Sequence, residues 1–189
     1  MTQTQPDASP QPDQHPGVDR QQGAPSAFRT ESRTYTWATP GQGNPRRLSE
    51  LDGLGQLQAM AAGELPPPPI MATLGITDLR PEAGRVVVEM PAAGFHYNPL
   101  GGVHGGVLST LLDTAAACAV HSTLAVGERY TSLDLTVKFL RPVTVESGLL
   151  TCEGTVIQRG RRTALAQARL TDGAGRLVAH ATSSCMIFA

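Results

Sequence analysis

Aromatic residues are scarce in this chain of 189 residues: four Phe, three Tyr and one Trp, 4% in all. Any pocket is therefore expected to be lined by aliphatic rather than aromatic side chains. An excess of either charge is also lacking, with 15 Lys and Arg against 16 Asp and Glu. That balance argues against a nucleic-acid or anionic-membrane footprint spread over the whole surface. The three cysteines, Cys118, Cys152 and Cys185, are odd in number and far apart, and no CxxC pair exists. Neither a disulfide framework nor a structural zinc site is expected. His96, His104, His121 and His180 lack HxH or HExxH spacing, so no metal is expected. No stretch is long and apolar enough to span a bilayer, and the first residues show no basic-then-apolar leader pattern. The expected setting is the reducing cytoplasm, with no membrane or nucleic-acid partner.

Residues 1–45 are rich in Gln, Pro and Asp with almost no aliphatics. Such a segment cannot bury enough apolar surface to offset the entropy of ordering it, so a disordered N-terminal tail is expected. A short recognition arm around Phe28, Tyr35 and Trp37 is the alternative. Residues 46–69 read as an amphipathic helix and a Pro-rich connector. Leu48, Leu51, Leu54, Leu57 and Met60 recur every three residues, Gly63 supplies a stop, and Pro66–Pro69 force an extended chain. The helix either packs on the surface or forms a lid over an apolar pocket.

Residues 70–189 carry the pattern of one α+β domain. One more helical turn is expected in "PIMATLGI", then a strand over 84–91, then a single long helix over 105–123, about 28 Å at ~1.5 Å per residue. Further strands are expected over 130–142, 148–158, 162–171 and 176–188, the last two joined by the hairpin turn "DGAG". The first of these alternates Leu133, Leu135, Val137 and Phe139 against Ser132, Asp134, Thr136 and Lys138. One helix against so many antiparallel strands implies a sheet wrapped around the helix.

Cations are absent where they would be most expected: no Lys or Arg lies between residues 86 and 128, yet Asp113 sits in the middle of the long helix. On a helical wheel Val107, Leu108, Leu111, Leu112, Ala115, Ala116 and Ala119 form the sheet-facing half. The other half carries Ser109, Thr110, Asp113, Thr114, Ala117 and His121, small or polar rather than charged, as suits a second subunit or a cleft. A buried acid without a cation has its pKa raised, which tunes a general base toward neutral pH. The alternative is a hydrogen-bonded Asp that merely fixes a dimer interface.

Before the helix, "GGVHGG" (101–106) offers no Ser, Thr, Asp or Asn to cap the first amides. An uncapped start with glycines would present free N–H donors to an oxyanion. A tight loop closing under the sheet is the other reading of the glycines.

At these residues the chain resembles the hotdog-fold acyl-CoA thioesterases of the phenylacetate-pathway (PaaI-type) branch. The motif runs from Asn98 through His104, Gly105 and Gly106 to Asp113, with Thr131–Leu135 following, and the resemblance covers roughly 70–188. It implies a hotdog fold over 70–189 and hydrolysis of an acyl-CoA, with no cofactor beyond the coenzyme A of the substrate. It makes Asp113 the general base or nucleophile and the Gly105 N–H, with His104 beside it, the oxyanion donor. Asn98 would place water or thioester, Ser132 would orient the acid or water, and Gly106 would lie against the substrate. It also implies a homodimer, or a dimer of dimers, with each site drawn from two subunits. Arg159, Arg161 and Arg162 in the turn "QRGRR" would meet the phosphates of coenzyme A, or form no more than a solvated hairpin turn. Three rivals remain beside this reading: a non-catalytic acyl-CoA sensor, a hotdog dehydratase, and a cysteine hydrolase using Cys118 with His121.

Overall fold

Alternation of small apolar residues builds the sheet. In β6 (Thr163–Thr171) Ala164, Ala166, Ala168 and Leu170 are all buried, and in β7 (Leu177–Phe188) Ala179, Ala181, Ser183, Cys185 and Ile187 are. With β1 (Asp78–Glu82), β2 (Arg85–Pro91), β3 (Arg129–Ser132), β4 (Thr136–Phe139) and β5 (Leu149–Arg159) they form one antiparallel sheet. Its order is β1-β2-β5-β6-β7-β3, with β4 also on β7. The structure, a computed structural model, describes residues 28–39 and 45–189. Most of the expected tail, 1–27 and 40–44, lies outside the described residues; 28–39 contain neither helix nor strand. The chain divides into two units, Met1–Thr34 and Tyr35–Ala189, and everything below concerns the second.

The long helix α4 (Gly105–His121) lies against this sheet, and Leu111, Leu112, Ala115, Ala116 and Ala119 are fully buried between them. Alanine on both sides lets the backbones approach closely. Gly154 of β5 marks the tightest point: a Cβ there would sit 2.0 Å from the Ala115 carbonyl oxygen. An antiparallel sheet wrapped around one long helix is the hotdog arrangement, as expected. Ala117, read as part of the open half of α4, is buried instead. No helix among the described residues is long and apolar enough to cross a membrane.

Three elements differ from expectation. The single helix expected after residue 46 is two, α1 (Pro45–Glu50) and α2 (Gly53–Ala61). Asp52 breaks them by capping α2, its Oδ1 accepting from Gly55 N–H at 2.7 Å. α2 then docks on the end of α4: Gly53 N–H donates to Leu124 O at 2.9 Å. A short helix, α3 (Pro69–Leu74), follows and ends on Gly75 at φ 76°, a left-handed turn that glycine adopts without strain.

β1 was not foreseen, because "DLRPE" carries two acids, an Arg and a Pro. It is an edge strand, where a proline's missing N–H can face away from the ladder. The expected strand over 130–142 is broken into β3 and β4. At the break the Asp134 Oδ1 accepts the Ser184 N–H at 3.0 Å, and the Asp134 carbonyl accepts the Ser183 hydroxyl at 2.8 Å. The pairing therefore slips by one residue, from Ser132↔Cys185 to Thr136↔Thr182. A one-residue slip flips the faces. Ser132, opposite buried Cys185, faces the helix, while Leu133 is 54% exposed.

Candidate active site

The segment entering α4 is fastened at several points. His96 is buried; its Nε2 donates to Leu74 O at 2.8 Å, and its Nδ1 accepts from Ala93 N–H at 3.2 Å. The His96 carbonyl accepts the His104 N–H at 2.8 Å. Between them Asn98 closes a turn, its Oδ1 accepting from Leu100 N–H at 2.9 Å and Gly102 N–H at 3.3 Å. Gly101 takes φ 82°, which favours glycine. The Asn98 oxygen is thus committed to the turn, and its Nδ2 has no partner among the described residues.

The helix start is capped, contrary to expectation, and His104 is the cap. Its Nδ1 accepts from Gly106 N–H at 2.9 Å, so Nδ1 carries no proton. The His104 carbonyl accepts from Val107 N–H at 2.9 Å and Leu108 N–H at 3.4 Å. Of the four amides that every helix start leaves open, only that of Gly105 has no acceptor among the described residues. Gly106 does not offer a free donor. A cleft of 390 Å³ opens beside Gly105, lined also by Val103, Leu108, Phe139 and Arg141. A Cβ on Gly105 would stand 3.1 Å from the Phe139 ring. His104→Ala is expected to cost about 0.5–2 kcal/mol through the lost cap, seen as a lower urea midpoint, with His104→Asn recovering most of it.

Asp113 stands on the open half of α4, half-buried, with no ion-pair partner among the described residues. Burial pushes its carboxyl above the usual carboxylate range, and the Ser132 hydroxyl beside it partly offsets the rise. The hydroxyls along this face are turned inward: Ser109 donates to Gly105 O, Thr110 to Gly106 O and Thr114 to Thr110 O, at 2.9, 2.9 and 2.7 Å. Little unsatisfied polarity remains on this face apart from the acid. Cys118 offers no nucleophile, because burial, helped by the Asp113 charge, pushes its thiol up to about 12.

Of the basic turn, Arg159 is committed to an ion pair with Glu128 at 2.6 Å, while Arg161 and Arg162 are exposed. The structure thus joins Asp113 with Ser132, and His104 with Gly105 and Gly106, but keeps the two groups apart. Gly105 and Asp113 are eight positions apart (105 to 113), about 12 Å along the axis at ~1.5 Å per residue. No group of three or more His, Cys, Asp or Glu among the described residues is placed to hold a metal ion.

One long helix, a wrapped sheet and an HGG turn entering the helix define the hotdog class, and the chain belongs to the thioesterase superfamily, whose model matches residues 100–179. Several of its relatives are named as thioester hydrolases. Human acyl-coenzyme A thioesterase 13 is 30% identical over 105 residues, 55% of this chain and 74% of that one. The 1,4-dihydroxy-2-naphthoyl-CoA hydrolase of Listeria monocytogenes is 26% identical over 58% of this chain and 87% of its own length. Among solved structures, a phenylacetic acid degradation-related protein of Ralstonia eutropha superimposes with a TM-score of 0.63 at 35% identity, covering 69% of this chain and 98% of that one. The E. coli PaaI protein matches with the same TM-score, 0.63, at 26% identity over 75% and 96%.

Proposed function

We propose that this chain hydrolyses acyl-CoA thioesters to a free acid and coenzyme A, in a site shared by two copies of itself. One observation carries the reading: the free Gly105 amide and the unpaired Asp113 carboxyl stand on one side of the same helix, too far apart to serve a single carbonyl. A second copy with its helix antiparallel, the two-fold axis passing near Ser109, brings each Gly105 to the other copy's Asp113. The small, inwardly hydrogen-bonded face of α4 suits that contact.

In this reading Asp113 takes a proton from water as the water oxygen bonds to the thioester carbon. The carbonyl electrons move onto oxygen, where the Gly105 N–H and the free Nδ2 of Asn98 receive them. Collapse breaks the carbon–sulfur bond, and the departing thiolate takes the proton back from Asp113. Fixed donors act most strongly on the oxyanion, and losing one costs about 2.7–4 kcal/mol. Ser132 holds the carboxylate, and His104 holds the helix start by occupying the Gly106 amide. Arg161 and Arg162 are the cations left to meet phosphates, since Arg159 is paired.

Mixing tests the shared site. Gly105→Pro removes one N–H at a helix position that tolerates proline, after a residue already extended at ψ 135°. Gly105→Pro and Asp113→Asn should each be inactive, and an equal mixture allowed to exchange subunits should regain about a quarter of wild-type turnover, one intact site in half of the dimers. A mixture that exchanges subunits and stays inactive would overturn it.

The pH profile follows from the raised carboxyl. The base works ionised, so kcat/KM should rise with pH on a limb lying above the ordinary carboxylate range. Ser132→Ala, which removes the hydrogen bond favouring the ionised form, should move that limb to higher pH; an unmoved or lowered limb counts against the assignment.

A further inference from the structure

A regular strand presents only every second residue to one face of its sheet. The chain from β3 to β4 does otherwise. Before the break, Tyr130 and Ser132 lie opposite buried Ile187 and Cys185 and face α4. After it, Val137 and Phe139 lie opposite buried Ala181 and Ala179 and face α4 too. Even-numbered residues point to the helix in β3, odd-numbered ones in β4. Ser132 meets the Asp113 carboxyl, and the Phe139 ring stands 3.1 Å from where a Cβ on Gly105 would be. An unbroken strand could reach only one of these two groups.

Side chains hold the joint between them. The Leu133 N–H donates to Ser184 O at 2.8 Å, one half of an ordinary antiparallel pair. In such a pair the Ser184 N–H would return to the Leu133 carbonyl. It goes instead to Asp134 Oδ1 at 3.0 Å, while the Asp134 carbonyl accepts the Ser183 hydroxyl at 2.8 Å. This clamp is linked to the acid. The Cys185 thiol, opposite Ser132, lies within hydrogen-bonding reach of both the Ser183 and the Ser132 hydroxyls. The Ser183 proton is committed to Asp134 O and the Ser132 proton to the Asp113 carboxylate, so the Cys185 S–H is the donor left between the two oxygens. A polar chain thus runs from Asp134 through Ser183, Cys185 and Ser132 to Asp113.

We propose that Asp134 and Ser183 are positioning residues for thioester hydrolysis: they fix the bulge that turns the Ser132 hydroxyl onto Asp113 while Phe139 stays against Gly105. Bulges re-aim side chains in this way beside active sites. The proposal rests on the acyl-CoA reading above and adds to it the groups that keep the base in place.

The test uses whichever of acetyl-CoA, octanoyl-CoA and phenylacetyl-CoA the full chain hydrolyses fastest. Asp134→Ala frees the Ser184 N–H for the Leu133 carbonyl, and Ser132 turns from the acid. It should lower kcat at neutral pH by about tenfold or more with KM little changed, and move the rising limb of kcat/KM to higher pH, as Ser132→Ala does. Asp134→Asn keeps the Oδ1 acceptor without the charge and should recover both, which separates the geometry of Asp134 from its electrostatics. The other titratable groups facing Asp113 are Cys118 on α4, Tyr130 on β3 and Cys185 on β7; burial raises all three, so they stay neutral across the limb. In Ser132→Ala, adding Asp134→Ala should move the limb no further, because the hydroxyl that the clamp holds is already gone. Thermal melts identify the folded variants, and Ser183→Ala, expected to shift the limb the same way by less, carries the test should Asp134→Ala unfold. If the wild type is active but the limb of the folded clamp variants coincides with its own, or the Ser132→Ala and Asp134→Ala shifts add, this proposal fails and the thioesterase reading stands. If none of these thioesters is hydrolysed, both fail.

Discussion

Asp113→Asn should lower kcat for acyl-CoA hydrolysis by on the order of 10²–10⁴, with fold and assembly retained. The size follows from what is removed. Asn is nearly isosteric and fills the same half-buried place beside Ser132, but it cannot take a proton from water. The stability of the variant is informative too, and its sign can be derived. Burial raises the Asp113 carboxyl, so the folded chain binds that proton more tightly than the unfolded chain. Wild-type stability therefore falls as pH rises from the ordinary carboxylate range through the raised value. Asn has no such proton to lose. Its melting temperature should equal or exceed that of the wild type at neutral pH, and the gap should close at pH values below the ordinary carboxylate range. Near-wild-type turnover, or lost assembly with a lowered melting temperature, would return Asp113 to a structural role.

Gly154→Ala should be among the most damaging single substitutions for folding. The added Cβ would lie 2.0 Å from the Ala115 oxygen, 2.3 Å from its carbonyl carbon and 2.8 Å from the Ala116 nitrogen. All three are backbone atoms of a fully buried helical turn, so no side chain can rotate away. Either α4 lifts off the sheet or β5, hydrogen-bonded on both sides by β2 and β6, bows outward. Ordinary overpacking costs about 1–3 kcal/mol, and a clash with rigid backbone should reach or exceed the top of that range. Chemical denaturation would show it as a large loss of midpoint. Where the variant still folds, turnover should fall as well, because the displaced turn lies two residues from Asp113. A midpoint within about 0.5 kcal/mol of wild type would mean that the helix and sheet adapt more readily than their packing indicates.

The main architecture was legible because it rests on periodicity. The apolar repeat of α4 and the alternation in β5, β6 and β7 are strong local signals, and the elements fall close to where those signals place them. Beyond the charged edge strand β1 and the buried Ala117, three misses share a cause: a side chain doing a backbone's work. Asp134 takes an amide of β7 that a strand carbonyl would normally hold, and this breaks a pattern whose alternation reads straight through residues 130–142. Asp52 ends one helix and caps the next inside an uninterrupted three-residue repeat. His104 caps α4 although histidine is not among the usual capping residues. Each case depends on which group a side chain reaches in space, and spacing in the sequence does not carry that.

The candidate site was legible in pieces. Asp113 stood out for its missing counter-ion, and the glycines of 101–106 for their missing cap. The slip at residues 133–135 turns Ser132 toward the acid, and a regular strand with Leu133 inward would have turned it away. The distance between the two halves of the site is plain arithmetic on one helix, yet only a shared site makes that distance useful.

The missing counter-ion has a second consequence, at the end of the cycle. In the proposed mechanism, hydrolysis would leave a carboxylic acid product that ionises at neutral pH, beside an Asp113 that has just returned its proton. Two like charges in a half-buried space repel, and Asp113 has no ion-pair partner among the described residues to offset that repulsion. The same absence that keeps the Asp113 carboxyl raised would therefore favour departure of the free acid, and inhibition by accumulated acid should stay weak.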